Sequence, residues 1–422
     1  MKRRVLPAGL GAAAAAAVVA AAAVQGAVVP AAQASVAPSV VADSQVQNLI
    51  NTVRGETATY AGIWIDRKTD TLYVSAPSTS VTAAKVAALE PQAAVRTAAA
   101  MRLVVVHAKY DFAQLQKIDG RVMGAKTLFA AAKKSHQTLS EWYPDPETDK
   151  VVIGFTKVTA AETAAVRAEF GSTARVISAP RAVDTVGHRS AGSSLPRTVR
   201  PATGTGDTGP WSGGDIAYYD DGGSWCTTGY YWGGDTMSTA GHCGSNGFYA
   251  RGNSLSGHYY EGTTYTIQYG NNRIDMQLIK GSDYKPYIWA GPTAQTREPV
   301  SGSGGVAQGG QYCTDGAITG VNCTAVVHAI DVCVNETDKS TGVTVYACDL
   351  DEAQSTDGTD ITYPGDSGGP VFTQNSVYDP YAVGTLVSAA DDSNGNPEYN
   401  IAYWSDMYEE KLIFGTGPVV GT

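Results

Sequence analysis

The segment Pro364-Gly365-Asp366-Ser367-Gly368-Gly369-Pro370 surrounds one serine with three glycines. Glycine has no Cβ atom, so such a turn lets a substrate backbone approach the serine closely and lets backbone N–H groups converge on one point. A hydroxyl nucleophile beside convergent N–H groups is what an acyl-transfer enzyme needs. The segment therefore predicts a nucleophile at Ser367 and requires a base elsewhere in the chain.

A histidine and a carboxylate precede this serine. His242 lies in Thr239-Ala240-Gly241-His242-Cys243, and Asp275 comes directly before the apolar run 276–279. A serine hydroxyl needs a base, and the base needs a third group that orients it. No histidine follows Ser367, which excludes an α/β-hydrolase, and a subtilisin-like enzyme would have its aspartate before its histidine. The order His242, Asp275, Ser367 fits neither of these folds. It predicts a catalytic triad of the third known order, in which the histidine comes first and the serine last.

Length and composition limit the classes of protein further. The chain has 422 residues, 43% of them hydrophobic, with 40 acidic and 30 basic side chains. The length predicts two or three folding units, and the hydrophobic fraction excludes a wholly disordered chain. A formal net charge of −10 argues against nucleic acid as a partner. After the N-terminus, no stretch reaches the roughly 18 apolar residues of a membrane span, so a polytopic membrane protein is excluded.

The N-terminus has the pattern of an export signal. Met1-Lys2-Arg3-Arg4 is basic, an Ala/Val-rich stretch runs to about Val29, and Ala32-Gln33-Ala34 is a small-x-small cleavage pattern. These features predict a signal peptide over residues 1–34 and a secreted, extracellular protein. The alternative is a membrane anchor, because the apolar stretch is longer than the usual core of a signal.

Cysteine usage agrees with export. The six cysteines all lie in the C-terminal half, at Cys226, Cys243, Cys313, Cys323, Cys333 and Cys348. An even number in an oxidising compartment predicts three disulfides. None of them forms a Cys-x-x-Cys pair, so the pattern does not favour a zinc site.

The composition changes near residue 200. Residues 35 to about 185 are Ala-rich, lack cysteine and contain helix-forming runs at 81–101 and 160–170. Residues 191–210 are rich in Gly, Pro, Ser and Thr, which is typical of a linker. From Trp211 onward there are 7 basic and 25 acidic residues, whereas 35–210 carries a net positive charge. Two parts of opposite charge attract each other, although chance composition is the simpler explanation.

The first part contains a weak internal repeat. Residues 65–74 match residues 144–153 at a constant offset, and each copy has a turn of the form Asp-x-x-Thr-Asp before an alternating strand. Helical sequence follows each copy, so the pattern predicts a small α+β module with two related units.

The second part alternates short apolar runs with Gly/Asn/Asp clusters, which favours an all-β sandwich or barrel. A Gly/Ser/Pro-rich segment near 290–311 could join two β subdomains of similar size. Residues 405–414 end the pattern with a serine, three acidic residues and then a lysine. They predict a short terminal helix with Ser405 as its N-cap.

With these motifs, the second part resembles the chymotrypsin-like serine proteases, specifically the secreted bacterial branch of streptogrisin and alpha-lytic protease. The matching segments span roughly 211–415 and are 212–215, Cys226 with 239–243, 313–316, 319–323 and 364–369. The resemblance implies two antiparallel six-stranded β-barrels with the triad in the cleft between them. The first part resembles the pro-region of the same branch, which folds its protease and then inhibits it. This gives a signal peptide over 1–34, a pro-region over 35–200 and a protease domain over 201–422, with the mature start between 187 and 211.

The resemblance also implies residue roles. Ser367 would be the nucleophile, His242 the base and later the acid, and Asp275 the group that holds the imidazolium. The backbone N–H groups of Gly365 and Ser367 would form the oxyanion hole. The mechanism needs no metal or organic cofactor. The expected partners are protein or peptide substrates and the chain's own pro-region, and we expect a monomer that binds neither nucleic acid nor membrane.

The disulfides are expected to follow the same motifs. Cys226 would pair with Cys243, the matching segment 313–323 has a cysteine at each end, and Cys333 would pair with Cys348 across an insert-like loop.

Several positions depart from the family pattern. The usual cysteine before the nucleophile is missing from 359–363, and Thr314 replaces a common arginine, which leaves open what neutralises Asp366. The predicted substrate-pairing strand is Ser388, Ala389 and Ala390. Asp360, with Asp391 and Asp392, would favour a basic side chain at the scissile bond, whereas Ile361 and the two alanines would favour a small or apolar one. The alternative function is a non-catalytic secreted binding module on the same fold, with a misformed oxyanion loop.

Overall fold

Strands dominate the computed structural model, and helices are few. The structure describes residues 46–89, 101–188, 209–219, 224–244, 247–251, 258–270, 273–290, 296–337, 343–374, 379–391 and 397–421. All of these belong to one compact unit, Ala34–Thr422. The predicted signal peptide and most of the predicted linker lie outside the described residues. Within the described ranges, no helix is both long enough and apolar enough to cross a membrane.

The elements are numbered along the chain. The described helices are α1 Gln47–Gly55, α2 Ala83–Leu89, α3 Phe112–Asp119, α4 Lys126–Ser135, α5 Ala160–Phe170 and α6 Met407–Phe414. The strands of the first part are β1 Gly62–Asp66, β2 Thr71–Ala76, β3 Arg102–His107, β4 Leu139–Asp145, β5 Lys150–Phe155, β6 Ala174–Ser178, β7 Arg181–Asp184 and β8 Gly187–His188.

Seventeen strand segments of the described second part follow. They are β9 Trp211–Gly213, β10 Ile216–Tyr219, β11 Ser224–Thr227, β12 Tyr231–Gly233, β13 Thr236–Thr239, β14 Gly247–Arg251, β15 His258–Gln268, β16 Met276–Gly281, β17 Tyr284–Trp289, β18 Arg297–Pro299, β19 Gly302–Ser303, β20 Gln311–Gly316, β21 Gly320–Thr337, β22 Thr344–Ser355, β23 Pro370–Gln374, β24 Pro380–Asp391 and β25 Pro397–Asp406.

The first part repeats one arrangement of strands. β1 pairs antiparallel with β2, and β2 pairs parallel with β3. β4, β5 and β6 have the same order and the same directions. Helix α2 lies between the second and third strands of the first copy, and α5 lies at the same place in the second. A helix is the usual way to connect two parallel neighbours.

The sequence repeat falls on the tight turns of these two hairpins. In the first copy, the Asp66 carboxylate accepts hydrogen bonds from the Lys68 N–H at 2.9 Å and the Thr69 hydroxyl at 2.8 Å. In the second copy, the Asp145 carboxylate accepts from the Thr148 hydroxyl at 2.6 Å. These bonds satisfy turn backbone that no strand pairs, which explains why the same residue types recur.

The second part builds two large sheets, and a small third one has the order β18-β17-β9. In the first sheet the strands follow the order β12-β13-β16-β15-β14-β10-β11, and β8 of the first part adds to its end. In the second sheet the order is β20-β23-β24-β25-β22-β21, and β21 also pairs with β20. The prediction of a mostly β chain with few helices is confirmed. That the two large sheets form two six-stranded barrels stays a prediction.

Each unit of the first part packs on the second part. The first unit covers residues 304–309, which connect β19 to β20, and there the Ile65 N–H donates to the Gln308 carbonyl at 2.8 Å and the Gly305 N–H donates to Asn51 at 3.1 Å. Its second unit extends the second sheet, because β4 pairs antiparallel with β21. The predicted connecting segment therefore lies under the first unit of the first part.

One arginine of the first part enters an acidic pocket of the second. Arg54 on α1 forms ion pairs with Asp331 at 2.9 Å and with Asp406, and it lies 3.9 Å from Asp351. The side chains of all four residues are at most 7% exposed. Burial would lower the pKa of Arg54, but the neighbouring carboxylates raise it, so the guanidinium stays charged. A buried charge of this kind is tolerated only because it is paired.

The C-terminal helix starts one residue later than predicted. The side chain of Asp406, not that of Ser405, caps α6 by accepting from the Tyr408 N–H at 2.7 Å. Ser405 still belongs to β25, and its hydroxyl donates to the Asp275 carbonyl at 3.1 Å. The run 160–170 forms α5 as predicted, whereas the run 81–101 is described as helix only over α2.

Replacing Arg54 should destabilise the whole chain. The change Arg54→Met leaves three buried carboxylates without their cation, so we expect a loss of about 3–5 kcal/mol in the free energy of unfolding. Urea unfolding of the full-length chain measures it. The matched control is Arg102→Met, an exposed arginine at the start of β3, for which the change should stay within about 0.5 kcal/mol. Equal effects of the two substitutions would contradict a structural role for this ion pair.

Candidate active site

The three predicted triad residues lie together. β13 pairs with β16 in the register Thr239↔Gln277, so His242 after the one strand and Asp275 before the other become neighbours. His242 Nδ1 lies 2.5 Å from Asp275 Oδ2, and His242 Nε2 lies 2.8 Å from Ser367 Oγ. An imidazole between a carboxylate and a hydroxyl can take the hydroxyl proton while the carboxylate stabilises the resulting charge.

Asp275 is fixed on every side. It is completely buried, and its Oδ1 accepts from the His242 backbone N–H at 2.9 Å. The Asp275 N–H donates to the Ser405 hydroxyl at 3.1 Å, and that hydroxyl donates to the Asp275 carbonyl. Ser405 belongs to the second sheet and Asp275 to the first, so this pair of bonds ties the two sheets together at the triad.

The loop before Ser367 requires glycine. Gly365 has a φ of +109°, and a Cβ there would lie 2.2 Å from Nε1 of Trp225. The Thr227 hydroxyl donates to the Gly365 carbonyl at 2.7 Å, and the Thr227 N–H donates to the Ser367 carbonyl at 2.7 Å. These two bonds hold the loop on both sides of Asp366.

The turn between β20 and β21 replaces the arginine that the sequence lacks. The Asp366 carboxylate is completely buried and accepts from the Ile318 N–H at 2.8 Å, the Thr319 N–H at 3.1 Å and the Thr319 hydroxyl. Burial raises the pKa of Asp366 to about 6, although these donors act in the opposite direction. Three donors from one turn thus solvate the carboxylate next to the nucleophile and anchor its loop.

A segment of the first part runs through the site in an extended conformation. β7 pairs antiparallel with β24 in the register Asp184↔Ser388, Val183↔Ala389 and Ala182↔Ala390. After a two-residue gap, β8 pairs antiparallel with β11. The predicted substrate-pairing residues, Ser388, Ala389 and Ala390, thus pair with the chain's own residues 182–184.

Thr185 occupies the position between these two pairings. Its carbonyl oxygen accepts from the Gly365 N–H at 2.5 Å. Its hydroxyl lies 2.7 Å from Ser367 Oγ and donates to the Val387 carbonyl at 3.0 Å. The Thr185 carbonyl is therefore held by the predicted oxyanion donor while its side chain touches the predicted nucleophile.

The next two residues fit closely on the other side. Val186 is buried with Cys226, Cys243 and their apolar neighbours. At Gly187, a Cβ would lie 2.1 Å from a ring carbon of Trp225, so no side chain fits there. The segment 181–188 as a whole is bound along its length, not only at Thr185.

The other predicted substrate-binding residues have different positions. Asp360 is exposed, and its backbone carbonyl accepts from Asn322 at 2.9 Å. Ile361 is completely buried in the apolar core of the second sheet. Ser388, Ala389 and Ala390 are also buried. Asp392 lies outside the described residues, so the proposed choice between a basic and an apolar pocket stays open.

The structure forms three disulfides, Cys226–Cys243, Cys313–Cys323 and Cys333–Cys348. The first packs against the triad side of the first sheet, because Cys243 follows His242 directly. The third joins the two long strands β21 and β22 close to their connecting loop.

Sequence reasoning missed a second carboxylate beside His242. Glu336 Oε1 lies 4.0 Å from His242 Nδ1, and Glu336 is completely buried. His242, Asp275 and Glu336 offer ligand atoms within 4.8 Å of one another, so this cluster is also where the described residues could hold a cation. No sequence signal marks Glu336, because it is 94 positions from His242 and has no motif around it. Thr227 and Thr319 were missed because nothing in the sequence marks their hydroxyls as partners of the nucleophile loop, although Thr319 begins the matching segment 319–323.

The protonation of His242 follows from these acids. Burial alone would lower the pKa of His242, but the charge and hydrogen bond of Asp275, with the charges of Glu336 and Asp184, raise it to about 10. At neutral pH the imidazole is therefore held in its charged form, and Nε2 donates to the Ser367 hydroxyl instead of accepting its proton.

Removing the Thr319 hydroxyl should weaken the anchor of the nucleophile loop. For Thr319→Val in the full-length chain we expect a loss of about 1.5–3 kcal/mol of stability, because a bond to a buried carboxylate is lost. With the pKa of Asp366 at about 6, the loss should be complete at pH 8 and smaller at pH 5, where the carboxyl is protonated. Urea unfolding at both pH values measures it. Thr163→Val, an exposed threonine with a hydroxyl bond to the Thr159 carbonyl, is the control, and a loss no larger than the control's would contradict the role of this turn.

Several solved structures are similar to this chain. A glutamic acid specific serine protease is 20% identical, with a TM-score of 0.38, over 50% of this chain and 100% of its own. Thermobifida fusca protease A is 23% identical, with a TM-score of 0.37, over 50% of this chain and 98% of its own. Nocardiopsis protease is 19% identical, with a TM-score of 0.36, over 50% and 98%. No family model and no curated protein matches the sequence. Over about half its length, the chain is thus similar in structure to bacterial serine proteases of the type that its motifs resemble.

Proposed function

We propose that this chain is a secreted serine endopeptidase that hydrolyses peptide bonds through an acyl-enzyme on Ser367. One observation carries the proposal: His242 bridges Ser367 Oγ at 2.8 Å and Asp275 at 2.5 Å, while the Gly365 N–H donates to a peptide carbonyl beside the same hydroxyl. Nucleophile, base, orienting acid and oxyanion donor are what acyl transfer requires.

The chemistry then proceeds in two halves. His242 takes the proton of Ser367, whose oxygen adds to the peptide carbon, and the Gly365 and Ser367 N–H groups stabilise the oxyanion. The imidazolium gives its proton to the leaving amine, the C–N bond breaks, and an ester remains on Ser367. Water repeats the cycle with His242 as base, which releases the acid and restores the hydroxyl.

The first part of the chain is its pro-region in this proposal, and segment 181–188 is its first substrate. The Thr185 carbonyl accepts from the Gly365 N–H, residues on one side of it pair with β24, and those on the other side pair with β11. This is how a peptide would bind with its Thr185–Val186 bond at the nucleophile. Cleavage there would start the mature chain at Val186, one residue before the range 187–211 expected from sequence.

The charge on His242 would make the precursor slow to act, including on its own segment. A pKa of about 10 leaves little neutral imidazole at pH 7, and only the neutral ring can accept the Ser367 proton. Asp184 belongs to the bound segment, so departure of the segment removes one of the charges that hold His242 protonated. Inhibition by the pro-region would therefore be both steric and electrostatic.

The predictions about the cellular compartment, the barrel and the binding partners are part of the same proposal. Three disulfides suit an oxidising, extracellular compartment. The cyclic pairing of β20, β23, β24, β25, β22 and β21 is consistent with one six-stranded barrel. The negative second part would keep nucleic acid away, and peptides are the expected partners.

A fluorophosphonate probe tests the assembled site. We expect stoichiometric labelling of Ser367 in the chain obtained after processing, and turnover of peptides should fall by about 10⁴- to 10⁶-fold in Ser367→Ala. Peptide mass mapping locates the adduct, and Ser301→Ala, an exposed serine, is the control that should keep full labelling and activity. Absence of labelling in a folded, processed chain would instead favour the non-catalytic binding module.

The N-terminus of the processed chain tests the bound segment. We expect the full-length chain to yield a fragment that starts at Val186, as read by intact mass and N-terminal sequencing, whereas Ser367→Ala should stay uncut. Gly187→Ala should slow the cut, because its Cβ meets Trp225. A Ser367-dependent cut elsewhere would show that segment 181–188 is an inhibitor and not a substrate.

A further inference from the structure

Glu336 is a buried acid at the triad that the proposed mechanism does not use. It lies near the end of β21, which continues past the disulfide residue Cys333 into the loop before β22. Its carboxylate is 4.0 Å from His242 Nδ1. The end of β21 pairs in parallel with β7, with Glu336 opposite Ala182. The bound segment is therefore held between two strands, β24 on one edge and β21 on the other.

The register shows which substrate position Glu336 faces. Residues opposite each other in a sheet, and residues two apart in one strand, have side chains on the same face. Glu336 lies opposite Ala182, and Ser388 lies opposite Asp184, so these four side chains share one face. Asp184 is the residue directly before Thr185, the second residue before the proposed scissile bond.

Glu336, Asp184 and Asp275 are acids that act on one another here, and the cation beside them is His242. Burial first, then the charges of Asp275 and Asp184, raise the pKa of Glu336 to about 8, while His242 and the Ser388 hydroxyl oppose the shift. Asp184 is itself 5% exposed and acts on His242 as well. The chain's own segment thus brings a second acid to the face of Glu336, and with a pKa of about 8 the Glu336 carboxyl is mostly protonated at pH 7 while that acid is bound.

We propose that Glu336 makes this subsite acidic, so that the processed enzyme prefers substrates with lysine or arginine directly before the residue at the scissile bond. The inference rests on the proposed function and names its substrate class. A cationic side chain there would favour the ionised form of Glu336 and pair with it, whereas an acidic one would keep Glu336 protonated, as Asp184 does.

This assignment also explains why the pro-region carries an acid at position 184. In the precursor the segment is held by its chain connection and by two strand pairings, so it tolerates an unfavourable charge. Once cut, only pairing and side-chain contacts hold it, and the acid favours its departure. An acid at position 184 therefore suits a segment that must leave after the cut, whereas a cationic residue at the same position suits a substrate that must bind.

Octapeptides with the sequence of the bound segment, varied at one position, provide the test. They read Arg-Ala-Val-X-Thr-Val-Gly-His, with X as Asp, Asn or Lys, and the enzyme is the full-length chain after self-processing. We expect kcat/KM for X = Lys to exceed that for X = Asp by at least about 10-fold. In Glu336→Gln the ratio should fall several-fold. Glu298→Gln removes one carboxylate from β18, outside the strands that hold the segment, and should leave the ratio unchanged.

The outcomes separate the two proposals. Equal kcat/KM for the Lys and Asp peptides, or a Lys preference that survives in Glu336→Gln, would overturn the acidic subsite while Ser367 is still labelled by the fluorophosphonate probe. If Ser367 is not labelled and no peptide is cut, the proposed function is wrong, and this inference is wrong with it. A Lys preference that is lost only in Glu336→Gln supports both.

Discussion

The hydrogen-bonded line Asp275–His242–Ser367 is the interaction on which the rest of the structure depends. Asp275 and His242 come from neighbouring strands of one sheet, and Ser367 comes from a loop of the other. The line can exist only if the two sheets are held at a fixed distance. The Ser405 hydroxyl provides this link at the triad itself, since it bonds both backbone groups of Asp275. A polar contact this deep is stable because every partner is satisfied.

The first part of the chain also contacts both sheets, outside the triad. It covers the segment 304–309 before β20, extends the second sheet through β4, and supplies Arg54 to three acids of the second part. An acidic protein that must bury carboxylates near its centre needs a cation there, and this one comes from the first part. The two parts differ in net charge, and the ion pairs of Arg54 are one specific contact between these opposite charges.

The same part occupies the site with segment 181–188. Strand pairing on both sides of Thr185 fixes the backbone, and the acids around His242 hold the imidazole charged. In the proposed function Asp184 contributes to both binding and inhibition, because it pairs with β24 and its charge helps to raise the pKa of the base. The proposed enzyme is released from both when the segment leaves, and the acidic face that Glu336 shares with Ser388 becomes available to other peptides.

The sequence by itself determined the chemistry and the class of fold. Position 365 requires glycine because its φ is positive and because a Cβ there would meet Trp225. The motifs around His242 and Ser367 are short and continuous in the sequence, so the local pattern was enough to find them. The repeat at Asp66 and Asp145 likewise predicted two hairpin turns, because turn bonds are local. Only the tertiary structure decided that Thr319 replaces an arginine, that Asp406 and not Ser405 caps the last helix, and that Thr185 and Glu336 reach the triad. Those contacts join residues tens to hundreds of positions apart, and the strand register that creates them is set by packing, which leaves no short pattern in the chain.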